Sequence, residues 1–259
     1  MPIQKACVIG AGVMGAGIAA QIANAGVPVL LLDIVPKEGT DRSAIAKGAI
    51  EKLLKADPAP LMSKAAAKLI TPGNIEDDLG SLGDVDWVVE AIIERIDLKQ
   101  GLYHKLEGKR KKGSVLSSNT STIPLAKLVE GMPESVQSDF CITHFFNPPR
   151  HLRLLEVIPN ANTDPELVQF MVDFGTRVLG KGVVVCNDRP NFIGNRFMSI
   201  SGSQVVNKAL EYGLTVEEVD ALTGPLIGRP KTATFRLTDL VGLDIHMGVA
   251  RNLYDAIPE

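Results

Sequence analysis

A histidine and a glutamate that are 12 residues apart form a candidate acid–base pair. His144 lies in the apolar run Phe140–Phe145, and Glu156 lies in the next one, Leu154–Ile158. A neutral imidazole near pH 7 accepts the proton of an alcohol well. If the two runs are neighbouring strands, the carboxylate can hold the other ring nitrogen, fix the tautomer and stabilise the imidazolium. A core histidine and a strand-edge charge fit the same spacing, so the spacing alone leaves both interpretations open.

A glycine-rich turn near the start of the chain predicts a dinucleotide site. The turn reads Gly10-Ala11-Gly12-Val13-Met14-Gly15 and follows the apolar run Ile3–Ile9. Gly10 permits the tight turn, Gly12 lets the backbone approach a pyrophosphate, and Gly15 lets the following helix pack closely. Asp33 ends the next apolar run, where a carboxylate accepts hydrogen bonds from the adenosine ribose. Because that carboxylate repels a 2′-phosphate, the pattern favours NAD over NADP.

The composition excludes several classes of protein. The chain has 259 residues, 45% of them apolar and 22% charged, which is typical of a globular protein with one large or two unequal domains. The net charge of −3 does not support electrostatic binding of nucleic acid or anionic lipid over a large surface.

The cysteines and the hydropathy of the sequence predict the cellular compartment of the protein. Cys7, Cys141 and Cys186 are odd in number and lie far apart in apolar runs, which indicates buried thiols in a reducing compartment rather than disulfides or a metal site. No apolar run approaches the roughly 18 residues that span a bilayer. A strand pattern begins at Ile3, which leaves no room for a leader. We therefore expect a cytoplasmic protein.

The alternation of apolar runs and helical patterns predicts an α/β fold, a Rossmann-type doubly wound sheet. Continuous apolar runs are typical of parallel strands buried on both faces. Helices are expected at 18–25 and over 41–70, the latter divided into two by a loop at Asp57–Pro60. The predicted strands are Ile3–Ile9, Val27–Asp33, Trp87–Ala91, Ser114–Ser117, Phe140–Phe145, Leu154–Ile158 and Gly182–Cys186.

Strand patterns stop near residue 187, and the rest of the sequence predicts helices. These helices are expected at Phe192–Tyr212, Thr215–Leu222 and Leu240–Ala256. The sequence therefore predicts a dinucleotide-binding domain over 1–187 and a smaller all-helical domain over 188–259.

Several motifs together resemble the 3-hydroxyacyl-CoA dehydrogenase family of fatty-acid β-oxidation. The similarity extends over essentially the whole chain. It includes the glycine-rich turn and the segments Val89-Glu90-Ala91, Ser118-Asn119-Thr120-Ser121, His144-Phe145-Phe146-Asn147-Pro148, Leu155-Glu156-Val157-Ile158, Phe192-Ile193-Gly194-Asn195-Arg196, Gly224-Pro225 and Asp239-Leu240-Val241-Gly242-Leu243-Asp244.

The resemblance implies the roles of four catalytic residues. His144 would be the general base that takes the C3 hydroxyl proton, with Glu156 as its orienting partner. Ser121 and Asn195 would bind the hydroxyl and thioester side of the substrate, although a turn after a strand and a helix cap are their alternatives. A hydride would pass from C3 to NAD⁺ and leave a 3-ketoacyl-CoA.

The resemblance also assigns residues to the cofactor. Glu94, Lys99, Asn119 and Asn147 would join Asp33 and the glycine-rich turn on the NAD side. A surface carboxylate and a helix-face lysine are the alternatives for Glu94 and Lys99. The residues that contact CoA stay unassigned.

The organisation of the helical part and the substrate remain as expectations. The segments at 57–61 and 71–74 resemble the bacterial multifunctional form, in which a dehydrogenase is fused to an enoyl-CoA hydratase. Relatives have further helices after Asp244, so the helical domain is expected to be incomplete and this chain to be part of a longer enzyme. Homodimerisation through Val205, Val206, Leu210 and Leu214 is expected, although an internal core fits them equally.

The alternative functions are a 3-hydroxybutyryl-CoA or free 3-hydroxyacid dehydrogenase and a non-catalytic NAD-binding module.

Overall fold

The described part of the chain forms a sheet of eight strands followed by helices. The computed structural model describes residues 3–256, apart from the side chains of Asp244, Ile245, Val249, Asn252, Asp255 and Ala256; residues 257–259 of the predicted helical domain lie outside the described residues. The chain divides into two compact units, Met1–Asp188 and Arg189–Glu259. No described helix combines the length and the apolar character needed to cross a membrane.

The first unit contains all eight described strands. They are β1 (Ala6–Ile9), β2 (Val29–Asp33), β3 (Ile70–Asn74), β4 (Trp87–Glu90), β5 (Val115–Ser118), β6 (Phe140–Phe145), β7 (Leu154–Ile158) and β8 (Gly182–Val185). Their order across the sheet is β3-β2-β1-β4-β5-β6-β7-β8. Every residue of β1, β4, β5 and β6 is buried, as expected for strands covered on both faces.

The helices of the first unit lie between its strands along the chain. They are α1 (Val13–Asn24), α2 (Ala44–Lys55), α3 (Ile96–Leu106), α4 (Leu125–Leu128), α5 (Glu134–Ser138) and α6 (Pro165–Arg177). Local chemistry sets several of their ends. Asp164, for example, accepts a hydrogen bond from the Glu166 backbone N–H at 2.9 Å, with Pro165 at the first helical position of α6. The doubly wound α/β architecture predicted from the sequence is confirmed.

The strand order reverses between β1 and β4, and this reversal creates the crevice of the sheet. β2 lies on one side of β1 and β4 on the other, and in such a sheet ligands bind beyond the carboxyl ends of the strands at this point. Gly10 follows β1 directly, with a φ of 106° that favours glycine. A Cβ there would lie 2.5 Å from the Ala91 carbonyl oxygen after β4. Glycine is therefore required both for the turn and for the close approach of the two loops.

The last two strands of the sheet, β7 and β8, run opposite to the other six. β6 and β7 pair antiparallel, whereas the remaining six pairings in this sheet are parallel. An antiparallel pair needs only a short connection, here residues 146–153, instead of a crossover helix.

In the first unit one prediction was wrong and one strand was not predicted. The second helix expected before residue 70 is only a 3-10 turn at Ala66–Leu69, and the segment Thr71-Pro72-Gly73-Asn74 belongs to an unpredicted strand, β3. Pro72 and Gly73 lack the apolar character of a central strand. β3 lies at the edge of the sheet, where proline is tolerated because half of the backbone groups need no partner.

The second unit is helical in the described residues. It contains α7 (Gly194–Tyr212), α8 (Val216–Thr223), α9 (Phe235–Val241) and α10 (Leu243–Ala256). Gly213 ends α7 in the left-handed conformation, and Thr215 and Glu218 form a capping box that starts α8. The helix predicted at Leu240–Ala256 is observed as α10 from Leu243 onward, and only its start was wrong, because Gly242 adopts a φ of 101° and separates α9 from α10.

Two helical glycines provide a matched test of the packing. A Cβ on Gly15 in α1 would lie 1.7 Å from the Gly10 carbonyl oxygen, whereas a Cβ on Gly48 in α2 would meet no atom within 4 Å. We expect Gly15→Ala to lower the free energy of unfolding by about 3 kcal/mol or more, because the turn before α1 must move. Gly48→Ala should raise it by about 0.5–1 kcal/mol through helix propensity. Urea denaturation checks both values, and equal stability of the two variants would contradict this packing.

Candidate active site

The antiparallel pairing of β6 and β7 brings the predicted acid–base pair together. His144 and Glu156 are direct cross-strand partners. The imidazole Nδ1 lies 2.7 Å from the carboxylate Oε2. His144 is 5% exposed and Glu156 is fully buried, so the pair is shielded from water. The structure therefore brings these two residues into contact, as the sequence interpretation required.

The contact defines the protonation pattern of the imidazole. An ionised carboxylate only accepts hydrogen bonds, so the proton of a neutral His144 lies on Nδ1 and is donated to Glu156. Nε2 is then the basic nitrogen. A proton taken up at Nε2 creates an imidazolium directly against a buried carboxylate, where the low local dielectric strengthens their attraction. This arrangement suits a general base.

Buried hydrogen bonds hold the strand that carries His144. Thr143 donates to the Ser117 hydroxyl at 2.8 Å, and the Trp87 indole N–H donates to the same oxygen at 2.9 Å. At the end of β5, the Asn119 side-chain oxygen accepts from the Phe145 backbone N–H at 2.9 Å. Three strands are thereby connected beside the histidine. Asn119, expected on the cofactor side, uses its side-chain oxygen to hold β6.

The glycine-rich turn leaves open space where a pyrophosphate would approach. A Cβ on Gly12 would meet no atom within 4 Å, and Gly12 and Val13 are exposed while Met14 is half-buried. No side chain caps the N-terminus of α1, so its backbone N–H groups remain available to an anion. The residues at this edge therefore fit a dinucleotide.

Asp33 is held at the end of β2 by two backbone amides. Its Oδ2 accepts from Ala11 N at 2.5 Å and its Oδ1 from Ile34 N at 2.7 Å. These two hydrogen bonds preorganise the carboxylate beside the glycine-rich turn.

A buried carboxylate at the end of β4 organises a network that no sequence argument assigned. Glu90 is fully buried. Its carboxylate accepts from three side chains, the Lys99 ammonium at 2.6 Å, the Ser118 hydroxyl at 2.6 Å and the Tyr103 hydroxyl at 2.7 Å, and from the Ile92 backbone N–H at 2.8 Å. The signal in the sequence was an acidic residue directly after the apolar Trp87-Val88-Val89, where a charge is costly unless it is paired.

Lys99 is buried rather than exposed on the surface of α3. Its side chain is 1% exposed, so the helix-face alternative was wrong. Its ammonium lies between Glu90, at 2.6 Å, and Glu94, at 3.3 Å from Oε2. Lys99 therefore holds Glu94 in place.

Glu94 in turn holds the turn that contains Ser121. Its Oε1 accepts from the Thr120 and Thr122 hydroxyls and, at 3.2 Å, from the Ser121 backbone N–H. Burial opposes ionisation of this carboxyl, but Lys99 and the two hydroxyls outweigh that effect and hold its pKa below the ordinary value. An ionised Glu94 thus fixes the turn, while the half-buried Ser121 side chain belongs to that same turn.

Two further predicted residues lie elsewhere. Asn147 is exposed in the connection between β6 and β7, directly before Pro148. Asn195 is the second residue of α7 in the helical unit, so it is not the helix cap that was its alternative. Asn195 lines a cavity of about 130 Å³ within that unit, together with Met198, Arg229 and His246.

The fold and the pair define a class of protein. A doubly wound sheet with an open glycine-rich turn, an oriented aspartate after β2 and a buried histidine–glutamate pair at the same carboxyl edge is typical of dinucleotide-dependent dehydrogenases.

Comparison with known families gives the particular assignment. The model of the 3-hydroxyacyl-CoA dehydrogenase NAD-binding domain matches residues 5–189, and the model of the C-terminal domain of the same family matches residues 192–259. The chain belongs to the 3-hydroxyacyl-CoA dehydrogenase family. The resemblance and the NAD-binding domain predicted from the motifs are thus confirmed.

Curated relatives include two probable 3-hydroxyacyl-CoA dehydrogenases and a putative trifunctional enzyme. A probable 3-hydroxyacyl-CoA dehydrogenase of Deinococcus radiodurans is 52% identical over the whole chain, which covers 75% of that protein. One from Bacillus subtilis is 49% identical over 98% of the chain. A putative fatty acid oxidation complex trifunctional enzyme of Rickettsia felis is 42% identical over 99% of it. The chain spans 34% and 36% of the last two proteins, about a third of their length.

Solved structures share the fold. M. tuberculosis FadB2 superposes with a TM-score of 0.84 at 29% identity, covering 100% of this chain and 90% of that one. The (S)-3-hydroxybutyryl-CoA dehydrogenase PaaH1 of Ralstonia eutropha gives a TM-score of 0.80 at 26% identity, covering 100% and 89%.

The Glu90 network predicts a large difference between a buried and an exposed ion pair. Glu90→Gln leaves the Lys99 ammonium buried without its nearest counter-charge and should lower the free energy of unfolding by about 3–5 kcal/mol. Asp84→Asn is the matched control, because Asp84 is 68% exposed and pairs with Lys5 at the surface; it should cost less than about 1 kcal/mol. Urea denaturation measures both.

A double variant separates the charge from the other contacts of Glu90. Glu90→Gln combined with Lys99→Met removes the unpaired ammonium and should recover part of the lost stability. If Glu90→Gln costs no more than Asp84→Asn, the pair does not hold this edge of the sheet.

Proposed function

We propose that this chain catalyses the NAD-dependent oxidation of (S)-3-hydroxyacyl-CoA to 3-ketoacyl-CoA in fatty-acid oxidation. The observation that carries the proposal is the 2.7 Å contact between His144 Nδ1 and Glu156 Oε2, buried in the sheet whose glycine-rich edge fits a dinucleotide. The pair provides a base for an alcohol, and the family match supports a 3-hydroxyacyl thioester as that alcohol.

In this mechanism His144 Nε2 accepts the proton of the C3 hydroxyl. Glu156 keeps the ring in the tautomer that exposes a lone pair at Nε2 and stabilises the imidazolium that forms. Ser121 and Asn195 bind the hydroxyl and thioester side of the substrate. When bound, NAD⁺ supplies the acceptor for the hydride that leaves C3. The same groups run the reverse reaction, in which the imidazolium returns its proton to the carbonyl oxygen.

The cofactor is held by the carboxyl edge of the sheet. The residues that would contact NAD are Gly10, Gly12, Val13, Met14, Gly15, Asp33, Glu94, Asn119 and Asn147. The open position at Gly12 and the uncapped start of α1 support the pyrophosphate site. Asp33 would take the ribose hydroxyls and repel a 2′-phosphate. Lys99 acts through Glu94 in this scheme, because its own ammonium is buried.

We further propose a division of labour between the two domains, 1–187 for NAD and 188–259 for substrate binding and dimerisation. In the helical unit Val206 and Leu210 are 39% and 77% exposed, and such apolar side chains support a homodimer contact; Val205 and Leu214 are half-buried and face a cavity of their own unit. Fusion to an enoyl-CoA hydratase is supported by the Rickettsia relative, a putative trifunctional enzyme.

A cytoplasmic location completes the proposal. Cys7, Cys141 and Cys186 are free and buried. Burial raises the pKa of the Cys141 thiol to about 12. Three unpaired thiols suit a reducing compartment.

Substrate and cofactor selectivity test the proposal directly. The purified chain should oxidise NADH with acetoacetyl-CoA. Replacing NADH with NADPH should lower kcat/KM by about tenfold or more, because Asp33 repels the 2′-phosphate. Replacing acetoacetyl-CoA with free acetoacetate should lower kcat/KM by about the same factor, because the free acid lacks the CoA moiety and its binding energy. Loss of NADH absorbance measures the rates. Equal rates with the free acid point to a 3-hydroxyacid dehydrogenase, and a preference for the four-carbon acetoacetyl-CoA over longer 3-ketoacyl-CoA substrates points to the reaction named for the Ralstonia relative.

Substitution of the base tests the mechanism. His144→Gln should lower kcat by about 10²–10⁴, because general acid–base catalysis contributes that range, while NADH binding stays unchanged. Glu156→Gln should lower kcat less and leave a folded protein. Fluorescence titration of NADH is the control for cofactor binding. Undiminished turnover by His144→Gln would exclude His144 as the base, and no turnover by any variant or by the unmodified chain would favour a non-catalytic NAD-binding module.

A further inference from the structure

Lys181 is a buried lysine at the turn between α6 and β8. Its residue is 3% exposed. The ammonium donates to the Pro149 carbonyl oxygen and, at 2.8 Å, to the Leu152 carbonyl oxygen. It also lies 5.7 Å from the centre of the Phe145 ring, within the range of a cation–π contact.

The burial of this charged side chain costs free energy. Among the residues that the structure describes, no carboxylate lies within ion-pair distance of Lys181. Burial lowers the pKa of Lys181 to about 8. A buried cation that interacts only with carbonyl dipoles and a ring gives up much of its hydration, so its presence calls for a role beyond packing.

The two carbonyls belong to the connection between the strands of the acid–base pair. Residues 146–153 leave β6 just after His144 and enter β7 just before Glu156. Pro149, the first carbonyl partner, packs on the glycine-rich helix, because a Cβ on Gly17 would lie 2.9 Å from the Pro149 ring. The position of Pro149 thus sets the distance between this connection and α1.

The segment around Lys181 is itself tied to α1. The Gln21 side chain donates to the Leu179 carbonyl oxygen at 2.8 Å. The helix α1, the connection 146–153 and the turn before β8 are therefore linked to one another, and the Lys181 ammonium is a charged group that joins the last two.

We propose that Lys181 is a positioning residue that fixes the connection 146–153 and, through it, the placement of His144 relative to the glycine-rich edge. The proposal rests on the proposed dehydrogenase function for its kinetic consequence. Its structural consequence, an ordered connection, is independent of that function. Lys181 contacts neither the glycine-rich turn nor Asp33, and Asn147 is the one residue of the connection placed on the cofactor side, so the loss of Lys181 should lower turnover more than cofactor binding.

Lys181→Met removes the charge and retains most of the side-chain volume. We expect kcat with acetoacetyl-CoA to fall by about tenfold, since small displacements of catalytic groups have large effects, while the Kd for NADH changes less than about twofold. Lys181→Arg keeps the donors and should recover part of kcat. Lys105→Met, an exposed lysine on α3, is the matched control and should leave both values unchanged.

Hydrogen exchange supplies a readout that needs no turnover. The backbone amides of His151 and Leu152 both donate to the Pro148 carbonyl oxygen at 3.0 Å. Their exchange, followed by mass spectrometry on the full chain, should accelerate in Lys181→Met and not in Lys105→Met. If Lys181→Met does not fold, Lys181→Gln, which keeps one donor group, takes its place.

The two measurements separate the possible failures. Unchanged exchange in a folded variant overturns the proposal, and so does faster exchange with unchanged kcat. A loss of kcat that merely follows a loss of folded protein or of NADH binding also overturns it. If the unmodified chain has no turnover, the proposed function fails, while the exchange data still decide whether Lys181 holds the connection.

Discussion

The pairing of β6 with β7 is the constraint on which the candidate site depends. A parallel sheet would place the carboxyl ends of both strands at one edge and needs a long crossover between them. The antiparallel reversal instead returns the chain within residues 146–153 and sets His144 opposite Glu156 in register. Because cross-strand neighbours on one face lie about 5 Å apart at Cβ, the imidazole and carboxylate meet without any loop having to carry them. A slip of one residue would turn Glu156 to the other face of the sheet.

Buried charged groups also occur elsewhere in the first unit, and each instance links two elements. Glu90 and Lys99 connect the end of β4 to α3, Lys99 and Glu94 connect α3 to the turn at Thr120–Thr122, and Lys181 connects the turn before β8 to the connection after β6. Replacing such groups with apolar residues often costs a fold little, so stability alone does not explain them. These groups act by orienting the segments that they contact, because a hydrogen-bonded charge holds a loop in one conformation. The loops held in this way lie at the edge of the sheet where cofactor and substrate would bind.

Much of the fold was predictable because buried parallel strands are conspicuous. Continuous apolar runs predicted seven of the eight described strands, and glycine spacing with Asp33 predicted the dinucleotide edge. β3 escaped prediction because Pro72 and Gly73 contradict strand propensity, and only its edge position makes them acceptable. The break between α9 and α10 escaped because a glycine inside an apolar helical pattern is tolerated as often as it ends a helix.

The sequence by itself determined the class of fold, the glycine-rich turn, the candidate histidine and the family, since these depend on residue types at short, readable spacings. Only the tertiary structure decided which charges meet. Glu90 lies 9 residues from Lys99 and 28 from Ser118, and Lys181 lies 29 from Leu152, yet all are in hydrogen-bond contact. Such contacts cannot be predicted from local sequence, because the strand order and register of the sheet place distant segments side by side. The same reason explains why Lys99 could be read as a surface lysine: a charge is expected in water until the fold supplies its partner.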